Sequence, residues 1–593
     1  MSRRDRETRA LVSLAASILL SCAGSVSLAA SAAAQAPSGQ SVVHLNQAWS
    51  DDDREWYYHF SQGSAVLSYD IFLNLEVANG QELFRSDANS TRYGLIPEAS
   101  NWMNPDGLPI GISKTNVATT IGEWPAGDYA GVTCAACHVG ELNYKGKHVR
   151  LDGGHSSFDP QAYFQAANAA VQATLTGPAK FNRLASRLGA ASPEAKAKLR
   201  ERLERQAAAI YQYATQSSAT VSPWGPGRID ALTMIQNRVT ANMTGLLANT
   251  STPIAPVKPP FLWNAPQGLW TQWAAIIQDP LARNFGETMG VYMPINLKAK
   301  TPADGLFESN AALPELQRVE HQLERLAPPS WPEDVFGKID RDKAKKGKAL
   351  FMVLCSGCHN AWPYTWSEPN KYGKRFVLVG LVPQSYVGTD RTQAEAVRPF
   401  AVTGQLSNYL PPEFRGKDAV PLLVFSRSLQ REITKRALAE LKLTPEQLVD
   451  LNGYRELPEP PAPDGVYKAA PRDGVWATPP FLHNGAVPNL YEMLVPAAER
   501  SKKFCIGREF DPIKVGLDTT CGPNTFVFDT SLLGNSNAGH SFQNGPRGNG
   551  VIGPLLTDDQ RWALVEYLKS IPEQPGRVTP FGGPPETSLP QKQ

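Results

Sequence analysis

The chain has almost no net charge: 58 Lys and Arg face 56 Asp and Glu, for a formal +2 across 593 residues. That balance excludes the basic excess through which nucleic-acid-binding proteins meet phosphates. Past the first 34 residues no apolar run approaches the length of about 20 residues that a membrane-spanning helix needs. Cysteine and histidine are scarce, at 7 and 9 residues, so any place where they cluster carries information. Glycine and proline are in excess instead, 47 and 49 residues, against a usual combined share of roughly 12%. Long irregular connections around modest regular elements are therefore expected. A hydrophobic content of 42% still permits a real core, and the length suits roughly two to four domains.

Four of the seven cysteines fall in two identical patterns, Cys134-Ala135-Ala136-Cys137-His138 and Cys355-Ser356-Gly357-Cys358-His359. Two thiols at this spacing can each add to one vinyl group of a haem, and the histidine that follows is then carried beneath the porphyrin to bind iron. One such run alone would also suit zinc or a redox dithiol. Its repetition predicts two covalently bound haem c groups, with His138 and His359 as iron ligands.

The N-terminus fits export. Arg3, Arg4 and Arg6 precede an apolar stretch from Leu11 to Leu20, and Ala32-Ala33-Ala34 before Gln35 suits signal cleavage. Leu20-Ser21-Cys22 resembles a lipobox, which would leave a lipid anchor at Cys22 in place of a free periplasmic or secreted protein. Cys505 and Cys521 lie in a loop-like region and could pair in an oxidising compartment.

Along the chain, residues 35 to 130 read as short helices and long loops. Residues 192 to 217 read as an amphipathic helix opened by Ser192-Pro193, with its charged run KAKLRERLERQ in solvent. Helical patterns recur at ALTMIQNRV and at 313 to 327, where Leu316, Val319, Leu323 and Leu326 share a face. APPSWPED breaks the chain near 330. A helix, KAKKGKALFMVL, then leads into Cys355, and a last helix, QRWALVEYLKSI, starts after an N-cap at Thr557. A helix before the haem motif and a final helix bearing an aromatic suggest how a small cytochrome c fold closes on its haem. The expected organisation is a signal peptide (1–34), an N-terminal cytochrome c-like haem domain with insertions (35–330), a second such domain (331–575) and a loose tail (576–593). The fold class expected is mainly α, two cytochrome c-like haem domains with extensive irregular loops.

Function depends on the other face of each iron, since a second His or Met makes an electron carrier and an open position admits oxygen or peroxide. His540, in the Gly/Asn-rich run GNSNAGHSF, is a candidate ligand for the second haem. His483 is placed beside a haem edge or propionate, and Met493 is a third option. His44, His59, His148 and His155 make no compelling ligand for the first haem, which is read as open. Phe285 and Glu287, in LARNFGETMG, suggest opposite chemistries. A phenylalanine over the haem would hold dioxygen and an apolar substrate, whereas a glutamate would serve as acid and base for splitting peroxide. Trp270 could bridge the two haems, or belong to the core.

The two Cys-x-x-Cys-His runs, WGPGRID, RNFGE, ATPPFLHNG followed by NLYEML, NAGHSF and WALVEYLKSI together resemble the secreted dihaem cytochromes related to bacterial cytochrome c peroxidase, and within them the rubber oxygenases. The resemblance spans roughly residues 45 to 572. It implies that His138 ligates an active haem open to dioxygen, that His359 and His540 ligate a saturated second haem, that Phe285 is the distal phenylalanine and that Trp270 lies between the haems. Asn284 stands where a smaller apolar residue is usual for that group. The leading expectation is an exported dioxygenase that cleaves C=C bonds of polyisoprene, with dioxygen and a hydrophobic polymer as partners. The alternatives are a peroxidase supplied by a small electron-donor protein, with Glu287 assisting, and a non-enzymatic electron carrier.

Overall fold

The chain on either side of the first cysteine motif is built of strands, not helices. In the computed structural model, which describes residues 41–579 apart from 221, 395–399, 459, 461 and 462, Ile112–Val117 pairs antiparallel with Gly127–Val132. The latter also pairs with Leu67–Ser68. Downstream, Val139–Tyr144 pairs antiparallel with Lys147–Asp152, whose other edge runs parallel to Ser41–His44. Lys145 and Gly146 form the two-residue turn of this hairpin, with φ of 50° and 76°, as the strand twist requires. Cys134–His138 is a single helical turn between these two three-stranded sheets.

The expectation of a mainly α fold built from two cytochrome c-like haem domains is corrected by this architecture. Helix accounts for 37% and strand for 15%, a mixed α/β fold with several small sheets. The cause is local: VGELNY and KHVRLD pair as a hairpin around a Lys-Gly turn, and glycine-rich connections leave no room for continuous helices there.

Helices form where a helical pattern is written. Pro193–Tyr211 is capped by the Ser192 hydroxyl, buries Leu199, Leu203, Ala207 and Ile210, and turns its charges outward. Leu313–Glu324 buries Leu316, Val319 and Leu323. Asp558–Lys569 starts with a reciprocal capping box between Thr557 and Gln560. It crosses Arg341–Leu354, the helix that delivers Cys355, so closely that a Cβ on Gly347 would lie 1.9 Å from the Ala563 carbonyl oxygen.

The described residues pack as one compact unit. Its largest apolar cluster joins Leu45, Trp56 and Val319 to Trp331, Trp476 and Leu564. A second cluster packs the helix Leu422–Leu441, through Phe425, Leu429 and Ile433, against Leu281, Phe285 and Met289. Cys505 and Cys521 are joined as a disulfide. No helix among the described residues is long and apolar enough to cross a membrane. The signal peptide, Cys22 and tail residues 580–593 lie outside the described residues.

The Gly347 crossing makes a direct prediction. Gly347→Ala adds helix propensity of about 1 kcal/mol, yet its methyl meets backbone. Net destabilisation of about 1–3 kcal/mol is expected from such overpacking, read as a lower thermal midpoint; an unchanged or raised midpoint would show that the two helices can part freely.

Candidate functional site

The first motif is held at the start of its turn by Thr133. The Thr133 hydroxyl accepts from the Ala135 N–H, and the Thr133 N–H donates to the Gly111 carbonyl at 2.8 Å. Neither motif cysteine is disulfide-bonded. Burial, then the nearby Glu287 carboxylate, pushes the Cys137 thiol up to about 12 and the Cys134 thiol up as well. Both thiols are therefore neutral, unlike the thiolates that bind metals directly. Among the described residues no group of three or more His, Cys, Asp or Glu converges as a metal cage, so neither pair offers the donor set of a structural zinc. Burial lowers His138 to about 4, against the opposing Pro260 carbonyl. Its imidazole is neutral, and Nδ1 has no hydrogen-bond partner.

Facing this motif is the helix Pro280–Gly290, which starts with proline in its first turn and the Asp279 carboxylate accepting from the Leu281 N–H at 2.9 Å. Arg283 and Glu287 are one turn apart on one face; Phe285, two residues before Glu287, is rotated about 200° from it. The two halves of the expected pair therefore separate. Phe285 is 0% exposed and packs among Leu281, Met289, Met293 and Leu429. Glu287, Cys134 and Cys137 each retain partial exposure, and the Glu287 carboxylate is close enough to both thiols to raise them. Burial raises the Glu287 carboxyl, while Arg283 and a hydrogen bond from Gln272 act the other way. The Gln272 Oε1 is buried without a partner. Arg283 is in turn gripped by Glu320, which also accepts from Asn284 at 2.8 Å.

Trp270, 7% exposed, is two residues before Gln272 and packs on Ala275 and Val466, with Val379 and Leu381 alongside. Those residues flank or belong to the strand pair Gly380–Pro383 and Val466–Ala469. Gly380 lies against the second motif, where a Cβ would come within 2.5 Å of the Cys358 carbonyl oxygen. Trp270 thus connects the segment beside Glu287 to a wall of the second site.

At that site the His359 Nδ1–H donates to the Ala470 carbonyl at 3.2 Å, which leaves the Nε2 lone pair available. His540 faces it with ring centres 6.2 Å apart. Its loop is pinned: the His540 N–H donates to the Val387 carbonyl at 2.7 Å. The buried Arg500 guanidinium donates to the carbonyls of Asn537, Gly539 and His540 at 2.7, 2.8 and 2.7 Å. Gly539, at φ +68°, would place a Cβ 2.2 Å from the Gly388 carbonyl carbon, so no side chain fits there. Burial lowers His540 to about 3, and its Nδ1 has no partner. An iron between two imidazoles, with metal–nitrogen bonds of about 2.0 Å and each nitrogen about 1.2 Å from its ring centre, needs a centre separation of about 6.4 Å. The observed spacing fits. Neutral imidazoles and cysteines outside any disulfide are what covalently bound haems would need at Cys134, Cys137 and His138 and at Cys355, Cys358, His359 and His540.

Of the other histidines, His155 lies beside the first motif, close enough to His138 to act on it, and Ser156 next to it donates to the Cys137 carbonyl at 3.2 Å. His148 meets Glu141 at 3.1 Å, and His59 donates to the Ile112 carbonyl. His483 stacks on Tyr467 with ring centres 4.1 Å apart, and its Nε2 is buried without a partner. His155, beside Gly227, also has an unpartnered Nδ1. Met493 packs at the edge of the main cluster. The sequence reading missed Gln272, Arg283 and Arg500. Only Arg283 had a signal there, its spacing of four from Glu287.

A family described as RoxA-like, cytochrome c-like matches residues 466–505. This match supports, at a coarse level, a likeness to the rubber oxygenase and cytochrome c group and points to a haem-related function. The chain belongs to one family with the uncharacterized protein y4iJ of Sinorhizobium fredii (strain NBRC 101917 / NGR234). The two are 35% identical over 584 residues, covering 90% of this chain and 94% of that protein. The uncharacterized protein y4iM of the same strain is 25% identical over 332 residues, covering 52% of this chain and 63% of its own length.

For the haem-loaded protein, His540→Ala is expected to change the absorption spectrum of one haem only and to let it bind added cyanide or imidazole. A wild-type spectrum in that variant would remove His540 from the ligand set.

Proposed function

We propose that the protein is an exported dihaem c-type oxidoreductase that reduces hydrogen peroxide at the haem held by His138, with electrons arriving from a small donor protein by way of the second haem. One observation carries this choice over an oxygenase: Glu287 is partly exposed and close enough to both first-motif thiols to act on them, whereas Phe285 is fully buried in an apolar cluster. A haem bound there supplies the iron at which peroxide accepts two electrons. The chain's own residues manage protons. The Glu287 carboxylate can take a proton from one peroxide oxygen and return it to the departing one, and Gln272 holds the carboxyl in place. Arg283 favours the charged form that accepts the proton, and Glu320 fixes Arg283. Reduction of one peroxide consumes two protons and two electrons and yields two waters. Trp270 lies where an electron passing between the sites would use an aromatic ring. The Cys505–Cys521 disulfide supports an oxidising compartment.

Cleavage of polyisoprene C=C bonds by dioxygen, giving aldehyde and ketone ends, is the second reading, and the RoxA-like match favours it. One experiment separates the two. The haem-loaded protein is given peroxide and a reduced cytochrome, and separately polyisoprene latex in air, with carbonyl-ended fragments sought by mass spectrometry. Rapid cytochrome oxidation without fragments is expected; fragments without peroxide turnover would overturn the proposal.

Glu287→Gln is expected to lower peroxide turnover by about 10²–10⁴-fold, the usual worth of a general acid–base. Because the carboxylate must accept a proton, wild-type turnover falls as pH drops through its raised pKa, and the variant loses that acid limb. Phe285→Leu should leave turnover within a few-fold. A large loss there with an unaffected Glu287→Gln would exchange their roles.

A further inference from the structure

Lys468 lies in the strand Val466–Ala469, opposite Leu381 in the neighbouring strand. Its backbone N–H donates to the Trp273 carbonyl at 2.7 Å, and the Trp273 indole N–H donates to the Lys258 carbonyl at 2.7 Å. Two residues on, the Ala470 carbonyl accepts from His359; on the other side, Trp273 directly follows Gln272, which bonds Glu287. Lys468 is thus tied by its backbone between the two cysteine motifs.

Its side chain is half-buried, and among the described residues it makes no hydrogen bond or ion pair. The charges that act on it are both positive, Arg283 from the first site and Arg472 from the second, and together with burial they push Lys468 down to about 7. Lys258, buried and donating to the Thr478 carbonyl, adds a further cationic side chain whose pKa Arg472 depresses. Arg283 is held by Glu320 and Arg472 lies near Asp473, but Lys468 has no such partner, and an unpaired cation inside a protein is costly unless an anion enters. Each haem brings two propionate carboxylates.

We propose that Lys468 is the shared counter-cation for the propionates of the two haems, with Arg283 flanking it on the first side and Arg472 on the second, and that it raises the reduction potential of the haem whose carboxylate it holds. This rests on the reading that both motifs carry haem. A fixed positive charge beside a haem favours the reduced iron, whose net charge is lower by one, so removing that charge favours the oxidised form. Lys468 is a positioning and electrostatic residue; it touches no reacting atom.

The test uses the full-length holoprotein, with two haems per chain confirmed by pyridine haemochrome assay, and the variants Lys468→Met, Lys468→Gln and Lys468→Arg. Midpoint potentials are measured by spectroelectrochemical titration, and stability by thermal unfolding. Both neutral variants should show at least one potential shifted downward and a lower unfolding midpoint, and Lys468→Arg should restore the potential. The sign of the stability change is informative, because neutralising a buried cation without an anion partner stabilises a protein and breaking a buried pair destabilises it. Wild-type potentials in both neutral variants would overturn the proposal whatever their stability. Failure of both neutral variants to load haem, beside normal loading of Lys468→Arg, would support it. A haem count of one in the wild type would refute the dihaem reading itself. Full haem loading with shifted potentials but no peroxide turnover would refute only the peroxidase reading.

Discussion

Holding two imidazoles from distant parts of the chain with ring centres 6.2 Å apart is the constraint around which the C-terminal half is arranged. Each ring is oriented by backbone. The Ala470 carbonyl fixes the tautomer of His359, and the Arg500 guanidinium gathers three carbonyls of the loop that presents His540. A buried guanidinium with every carbonyl partner in place is a rigid clamp, because losing any one of them leaves a charged donor without water. Arg500 therefore acts on the second site without touching it.

The first site is organised differently. Its motif is a single turn between sheets, and the groups that decide its chemistry come from one helix and one loop. Arg283 and Glu287 project from the face of Pro280–Gly290 that meets the motif, while the same helix buries Phe285 among apolar side chains contributed by Leu422–Leu441. Desolvation raises the Glu287 carboxyl and lowers His138, so both respond to the same enclosure. A carboxyl poised by burial and by an adjacent guanidinium is the common route to acid–base function near neutral pH. Between the two sites runs a narrow bridge, Trp270 to Lys468, whose apolar part packs Trp270 on Val466 and whose polar part is almost wholly cationic.

Several features were legible before any coordinates. The Cys-x-x-Cys-His runs are local chemistry and need no tertiary information. The helices at Pro193–Tyr211, Leu313–Glu324 and Asp558–Lys569 follow from periodicity and capping residues that act within a few positions. The hairpin after the first motif was also written locally, in its Lys-Gly turn, and a helix-centred expectation passed over it.

What the sequence by itself determined is the covalent chemistry: which thiols can carry haem, which histidine follows each pair, and where strong helices begin. Only the tertiary structure decided which side chains share a site with them. Gln272, Lys468 and Arg500 lie far along the chain from the groups they serve, and nothing in their neighbours' spacing marks them. The separation of Phe285 from Glu287 has the same origin. Two residues apart on a helix point to nearly opposite sides, and which side meets the first motif is set by the packing of Leu422–Leu441 against the other. That contact joins segments over a hundred residues apart, and it forms because burying apolar surface is favourable wherever in the chain the partner lies.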